Sequence, residues 1–565
     1  MSGPAQRQDG QRWRRVAPIA GAAVIAFGVG AALGGSHVPA SERTAEAYAA
    51  AWERGDLAAM YELTDAESLG RPLRDFAIAY RNAESTATAR RVDFGEARED
   101  GHDVFALPAH VETEAFGSFQ ATLRLPIVEV DGEERVAWRP ELAFPGLRAG
   151  EELSSTTELP RRAALLYRDR SPMVQRGEGT STPVSDVAAS IAGSLGPIPA
   201  DRAEALRAKG VPADAQVGVS GLERIFDDRL RGRPGGILMA GDRQLAAQEP
   251  QPAGPVRTTI SPAVQSAAVT ALAGRLGGVV ALDPRTGEIL AAAGIPISGL
   301  QPPGSTFKII TVTAGLEAGI TRPSKTYPIE TAATLEGVPL ENANGESCGG
   351  TLVQSFAHSC NSVFAPMGAE LGAQRLVEAA RRFGFDEPVP IPGAATPTIP
   401  PAEEIGDDLA VGSSAIGQGR VQATALSMAL VAATIGMDGR RPRPTFAYGE
   451  RPDSVRVTSP EIAVRVEEMM EAVVTSGTGT AAAIPGVQVA GKTGTAELAD
   501  TRTTPADTQQ PLPPLDLPET DAWFVAYAPA GKRPPKVAVG VLLVQAGAGG
   551  DVAAPAARTV LDAAL

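Results

Sequence analysis

Ser305 and Lys308 stand three residues apart in "PPGSTFKIITVTAGLEAG", which runs from Pro302 to Gly319. Pro302-Pro303-Gly304 disfavours helix and the following run favours it, with Gly315 and Gly319 marking the far end. Residues i and i+3 share a helix face, so the Lys308 amine reaches the Ser305 hydroxyl. At a helix N-terminus the backbone N–H groups point outward and negative charge is favoured. A neutral lysine in that position takes the serine proton and leaves a nucleophilic alkoxide. The alternative is an N-cap serine followed by a surface lysine. Lysine usage bears on the choice: of 51 basic residues, 45 are Arg and six are Lys, and S-x-x-K occurs once. Arginine does not lose its proton in a protein, whereas a desolvated lysine can.

Two further stretches carry polar groups suited to the same chemistry. In "HSCNSVFAPMG", Ser359 and Asn361 precede an apolar helix start. A hydroxyl relays a proton, and an amide holds a carbonyl and an ammonium together. Taken alone, the pair also reads as an N-cap with turn polarity, and the adjacent His358 as an incidental polar residue. In "VAGKTGTAEL", Lys492-Thr493-Gly494-Thr495 lies on a strand. Lys492 supplies positive charge, Thr493 and Thr495 supply hydroxyls, and Gly494 removes a side chain so that a ligand backbone can approach the strand edge. That set suits a carboxylate; the alternative is an exposed strand with a glycine bulge.

The elements that position these residues follow from patterning. "SPAVQSAAVTALAGRL" reads as a helix capped by Ser261, with Pro262 at its first position. "GGVVALDPRTGEILAAAG" reads as two strands joined by a turn over 283–287. "VQVAGKTGTAEL", "AWFVAYAP" and "KVAVGVLLVQA" are three more strands. Two early strands, a helical block and three late strands imply one antiparallel sheet packed with helices. Upstream, "SERTAEAYAAAWERGDLAAMYELTD" shows two amphipathic helices broken at Gly55-Asp56. "FGSFQATLRLPIVEV" and "EERVAWRPELAF" flank an Asp131-Gly132 turn, a hairpin signal. These make a small α+β domain over 38–150. From 151 to 257 the chain is more polar, and "GLERIFDDRLRGRPGG" is an amphipathic helix with a strong stop. The proline-rich stretch 499–520 reads as a mobile excursion.

Composition bounds the rest. A chain of 565 residues exceeds one core. A net charge of −15 argues against nucleic acid as partner. The four histidines show no metal-ligand spacing, and there is no P-loop, so no metal or cofactor is implied. Residues 1–15 form a basic tail with Arg7, Arg12, Arg14 and Arg15, and 16–35 carry no charge. Twenty helical residues span a bilayer, and the basic flank keeps the N-terminus cytoplasmic. A single-pass anchor is the expectation, with a cleaved signal peptide as the alternative. Cys348 and Cys360, twelve apart, either pair in an exported protein or are two buried thiols.

Jointly, and in this order, S-x-x-K, S-x-N and K-T-G resemble the motif set of the penicillin-binding proteins and their β-lactamase relatives. The middle motif is Ser359-Cys360-Asn361 rather than S-D-N. "AIGQGRVQATALSMALVAATIGMDGRRPRP" and "AWFVAYAP" resemble other parts of the transpeptidase domain of that family. "GLERIFDDRLRGRPGG" resembles the end of its dimerisation or pedestal domain, whose usual R-G-x-I-x-D-R-x-G opening is blurred here to "RRAALLYRDRSPMV". Residues 38–150 resemble an NTF2-like domain. No glycosyltransferase domain fits before 258, so the resemblance is to the monofunctional class B.

The resemblance implies a multidomain α+β protein: an NTF2-like domain (38–150), a pedestal (151–257) and a transpeptidase domain (258–565). It implies acyl transfer on peptidoglycan stem peptides ending in D-Ala-D-Ala, with no cofactor and with β-lactams acylating the same serine. Ser305 is then the nucleophile and Lys308 its base. Ser359 relays a proton and Asn361 orients the substrate amide. Lys492, Thr493 and Thr495 bind the terminal carboxylate. The oxyanion hole is formed by the N–H groups of Ser305 and Thr495. A polytopic glycosyltransferase is a candidate partner. The rival readings are a β-lactamase or D,D-carboxypeptidase of the same fold, and a β-lactam sensor or scaffold that acylates without turnover.

Overall fold

The computed structural model describes residues 39–67, 69–177, 179–451, 453–497, 520–531 and 534–565. The basic tail, the apolar run 16–35 and the proline-rich stretch up to 519 lie outside the described residues. Among the described residues no helix is long and apolar enough to cross a membrane.

The C-terminal region is built on five antiparallel strands, β1 (Gly277–Leu282), β2 (Ile289–Gly294), β3 (Ala490–Glu497), β4 (Thr520–Ala528) and β5 (Val537–Leu543), in the order β2-β1-β5-β4-β3. Side chains alternate between faces. Val279, Ala281, Val539, Val541 and Leu543 enter one core, beneath helices Pro262–Leu272 and Ala554–Ala564. Val280, Leu282, Ala538 and Leu542 enter the other, with helix Ala425–Gly436 and the helical block. Because both faces are covered, β1 and β5 are buried throughout, and they read in sequence as unbroken apolar runs. β3 is left as an edge strand beside the helical block. Ser261 is the N-cap of the first helix, but its side chain makes no capping bond.

Four helices of the block matter for the site: α1 (Lys308–Glu317), α2 (Leu352–Ala357), α3 (Asn361–Leu371) and α4 (Pro460–Thr475). A single 3-10 turn, Gly304–Phe307, leads into α1. Gly315 lies inside α1 rather than at its end; a Cβ there would sit 3.0 Å from Met367 Sδ, so it serves close packing against α3. Gly319, with φ +71°, follows the helix as expected.

The N-terminal region has helices Ala40–Glu53, Leu57–Glu62 and Leu73–Ala87 against an antiparallel sheet, with the D-G hairpin between Ser118–Val130 and Glu133–Val136. Strands over 89–113 and the third helix complete it. Between the two regions, strands Leu153–Glu158, Gly235–Ala240 and Arg243–Gln248 form a three-stranded sheet. Leu238 and Ala246 of that sheet join the N-terminal core, whereas Leu165, Leu222 and Leu230 join the core under the C-terminal sheet. "GLERIFDDRLRGRPGG" forms two short helices broken at Phe226. They carry Glu223 and Asp227 inward. Glu223 is met by Arg162 and Arg176, and Asp227 by Arg162, Arg202 and Arg231. Each buried carboxylate thus has at least two guanidinium partners, the condition under which buried charge is tolerated.

Candidate active site

The three stretches converge on one point. Lys308 opens α1, and its Nζ lies 2.9 Å from Ser305 Oγ. The same amine donates to the Ser359 carbonyl at 2.7 Å and to Asn361 Oδ1 at 2.6 Å, and stands 3.3 Å from Ser359 Oγ. Lys492, on β3, donates to Ser359 Oγ at 2.8 Å and to the Thr493 carbonyl at 3.0 Å. Ser359 therefore bridges two lysines that lie 184 residues apart in the chain.

Ser359 has φ +61°. That left-handed conformation is uncommon for a residue with a side chain, and such strain persists only where the surroundings enforce it. Here the enforcement is visible. Cys360, the next residue, is bonded to Cys348, with Cα atoms 5.4 Å apart. Asn361 Nδ2 donates to the Glu341 carbonyl, and Ser362 N donates to Asn342 Oδ1. Buried Asn342 in turn donates to the carbonyls of Glu330 and Glu346. The segment between α2 and α3 is thus held by a covalent bond and an amide network.

Both lysines are fully buried. Among the described ion pairs neither has a carboxylate partner. Burial first, and the nearby Lys492 charge second, hold the Lys308 amine well below the usual lysine range. Burial lowers Lys492 to about 7. Lys308 is thereby suited to accept a proton near neutrality.

Thr493 and Thr495 alternate with Lys492 along β3. Thr493 is buried, its Oγ1 2.6 Å from Thr478 Oγ1, and Thr495 Oγ1 accepts from Gly549 N at 3.4 Å. Gly494 packs closely against its neighbours. A Cβ there would meet Pro303 O at 2.8 Å, Trp523 Cβ at 2.9 Å and Thr306 Cγ2 at 3.0 Å. Its lack of a side chain lets β3 press against the turn that carries Ser305. That turn is fixed on another side by Gly304 N donating to Gly417 O at 2.9 Å. Sequence reasoning missed Asn342 and Thr478. The "SGTGT" that follows α4 was the available signal for Thr478.

The family description "penicillin-binding protein transpeptidase domain" matches residues 277–562, just over half the chain. The chain belongs to the penicillin-binding proteins. It is a class B penicillin-binding protein: the penicillin-binding protein dimerisation domain matches 173–250, and the NTF2-like N-terminal transpeptidase domain matches 40–151. Among relatives, it is 35% identical over 422 residues to peptidoglycan D,D-transpeptidase PbpA of Mycolicibacterium smegmatis, covering 61% of this chain and 79% of that protein. It is 26% identical to peptidoglycan D,D-transpeptidase MrdA of Acinetobacter baumannii, covering 77% of this chain and 74% of MrdA. Among solved structures, the ceftriaxone acyl-enzyme of penicillin-binding protein A from M. tuberculosis aligns with a TM-score of 0.55 at 28% identity. That match covers 72% of this chain and 98% of the other.

Proposed function

We propose that this penicillin-binding protein is a peptidoglycan D,D-transpeptidase that cross-links stem peptides through a Ser305 acyl-enzyme and is acylated there by β-lactams. The observation that carries the reading is Lys308 Nζ at 2.9 Å from Ser305 Oγ, buried and without a carboxylate partner among the described residues. A neutral Lys308 has two N–H groups and one lone pair. The N–H groups are occupied by Ser359 O and Asn361 Oδ1, the shortest contacts, which leaves the lone pair for the Ser305 hydroxyl proton.

In this scheme the Ser305 proton passes to Lys308 as Oγ bonds to the carbonyl carbon between the two terminal D-alanines. The oxyanion is held by the N–H groups of Ser305 and Thr495. The C–N bond then breaks, and Ser359, bridged to both lysines, passes a proton to the departing D-alanine amine. An amine of a neighbouring strand attacks the ester, surrenders a proton along the same route and restores Ser305. Asn361 orients the peptide amide. Lys492, Thr493 and Thr495 hold the terminal carboxylate, with Gly494 supporting the strand.

The domain limits that go with this reading are 38–150, 151–257 and 258–565. Single-pass anchoring through 16–35, with the catalytic domain extracytoplasmic, is supported by the basic flank of that run. Because the regions ahead of the transpeptidase domain match NTF2-like and dimerisation domains, a separate polytopic glycosyltransferase is the partner that would supply glycan strands.

The test is labelling with fluorescent penicillin, wild type against Ser305→Ala, together with cross-linking of a labelled donor peptide. Loss of label in Ser305→Ala and product in the wild type are expected. Rapid hydrolysis of penicillin would instead indicate a β-lactamase or carboxypeptidase, and stable acylation without any cross-link a sensor.

A further inference from the structure

Two aromatic rings stand beneath the two lysines. Lys308 Nζ lies over the Phe364 ring, 5.6 Å from its centroid, and Lys492 Nζ lies over the Phe356 ring at the same distance. The rings touch each other edge to face, 5.8 Å apart with planes at 71°. Phe356 belongs to α2 and Phe364 to α3, and both are fully buried. Read as sequence they are ordinary core residues. Each nevertheless turns its face toward a lysine amine that has no carboxylate partner among the described residues.

The charged groups on the neighbouring elements do not fill that gap. Glu317, at the far end of α1, is engaged by Arg382 and Thr458. Glu497, at the end of β3, and His358, after α2, are exposed, and Glu370 is exposed on α3. Glu341 offers Asn361 its backbone carbonyl. On α4, Ala463, Val466, Met469, Met470 and Val473 face inward; Arg465 and Glu468 are exposed, half-buried Glu467 accepts from Gly531 N, and half-buried Glu471 meets Gln488. Asp521, on the strand beside β3, accepts from Gln545 N. The lysines are therefore met by neutral oxygens and by two ring faces. A ring face is the negative side of the aromatic quadrupole and favours the ammonium form over the amine.

We propose that Phe356 and Phe364 are positioning residues that apportion protons between the two lysines: the Phe356 face holds Lys492 as an ammonium, and the Phe364 face sets how readily Lys308 takes the proton of Ser305. The effect opposes burial, and in a desolvated site it amounts to about one pH unit in a lysine's titration midpoint. The edge-to-face contact makes the two rings one unit, so each lysine's ring is held in place by the other's.

The inference rests on the roles proposed above for Lys308 and Lys492, and the experiment separates the two. The full-length chain is labelled with 13Cε-lysine; six lysines give six signals, assigned through Lys308→Arg and Lys492→Arg. Titrations are compared for wild type, Phe356→Leu, Phe364→Leu, and pentafluorophenylalanine at either position. The last reverses the ring quadrupole while nearly keeping its shape, and serves if a leucine variant does not fold. Loss of the Phe356 face should lower the Lys492 midpoint by about one unit, and loss of the Phe364 face that of Lys308, the other lysine moving less. In the pH profile of penicillin acylation, the Phe356 variants should bring the alkaline limb to lower pH, and the Phe364 variants should extend the acid limb downward. Unmoved midpoints in folded fluorinated variants, or equal shifts of both lysines in every variant, overturn the proposal. Midpoints that shift as stated while the limbs stay fixed would support the rings' action and overturn the roles assigned to the lysines.

Discussion

Replacing Lys308 by Arg keeps positive charge and removes basicity, so it separates the two things a lysine can contribute. The amine is fully buried, and four oxygens lie within 3.3 Å of it: Ser305 Oγ, Ser359 O and Oγ, and Asn361 Oδ1. Three of these accept from a cation as well as from an amine, so charge alone would satisfy them. The fourth, Ser305, needs a lone pair. Arginine keeps its proton at any accessible pH, whereas Lys308 is held well below its ordinary range by burial and by Lys492. Loss of a general base is worth about 10²–10⁴ in rate, or roughly 3–5 kcal/mol of barrier. Folded Lys308→Arg should therefore acylate at least about 10²-fold more slowly than wild type. Lys492→Arg, where charge is the requirement, should lose less. The assay is the second-order acylation rate with fluorescent penicillin, read beside the melting temperature. Acylation by folded Lys308→Arg within a few-fold of wild type would refute Lys308 as the base and leave the serine proton without a recipient.

Lys492 gives a stability prediction with a definite sign. Its folded midpoint of about 7 lies below the unfolded value, so between the two the unfolded chain binds the extra proton and stability rises with pH. Between pH 7 and 10 the contribution is on the order of 3 kcal/mol, and denaturant titrations of Lys492→Met should lack that part of the wild-type slope. Reduction, or the paired substitution Cys348→Ser with Cys360→Ser, opens a loop of twelve residues and should cost about 3 kcal/mol by chain entropy. It should also slow acylation, because Cys360 lies between Ser359 and Asn361; unchanged rates in the double variant would show that the amide network suffices. Gly494→Ala should destabilise by about 1–3 kcal/mol through overpacking against Pro303 and Trp523, measured by thermal melts. It should also lower acylation by displacing the Ser305 turn.

The site was legible in the sequence to the extent that its residues are chemically unusual. A lysine in an arginine-rich chain, an S-x-N before an apolar helix and a lysine-threonine-glycine strand each stand out locally, and the structure brings them to one serine. The strands of the C-terminal sheet were legible because burial on both faces writes them as apolar runs. The helix Leu73–Ala87 was not read, because its buried stripe is Phe76, Tyr80, Ala83 and Ala87, where alanines give little contrast. The strand Ala89–Phe94 escaped because Arg90, Arg91 and Asp93 interrupt a short alternation. Asn342 and Thr478 are single polar residues that act on segments about twenty and fifteen positions away. Glycines were legible as constraints but not as reasons: Gly494 and Gly315 both serve close packing, and nothing local says which surface approaches.

The arrangement also explains why the site needs so much of the fold. Two buried lysines sharing one hydroxyl, with no carboxylate among the described residues to balance them, are unfavourable as ammonium ions. An adjacent carboxylate would stabilise the folded state, but it would raise Lys308 toward its ordinary range and end the use as a base proposed for it. What holds the lysines instead is rigidity from elements that do not touch the chemistry. Lys492 comes on an edge strand anchored by a sheet buried on both faces, and Lys308 on a helix packed into the larger core. Ser359 comes on a left-handed residue fixed by a disulfide and by Asn342. Loosening any of these gives the amines water or distance, and either lets Lys308 recover its proton. The same reasoning explains why the chain uses lysine here and arginine almost everywhere else. A surface needs charge that does not move, whereas this site needs a charge that the fold can take away.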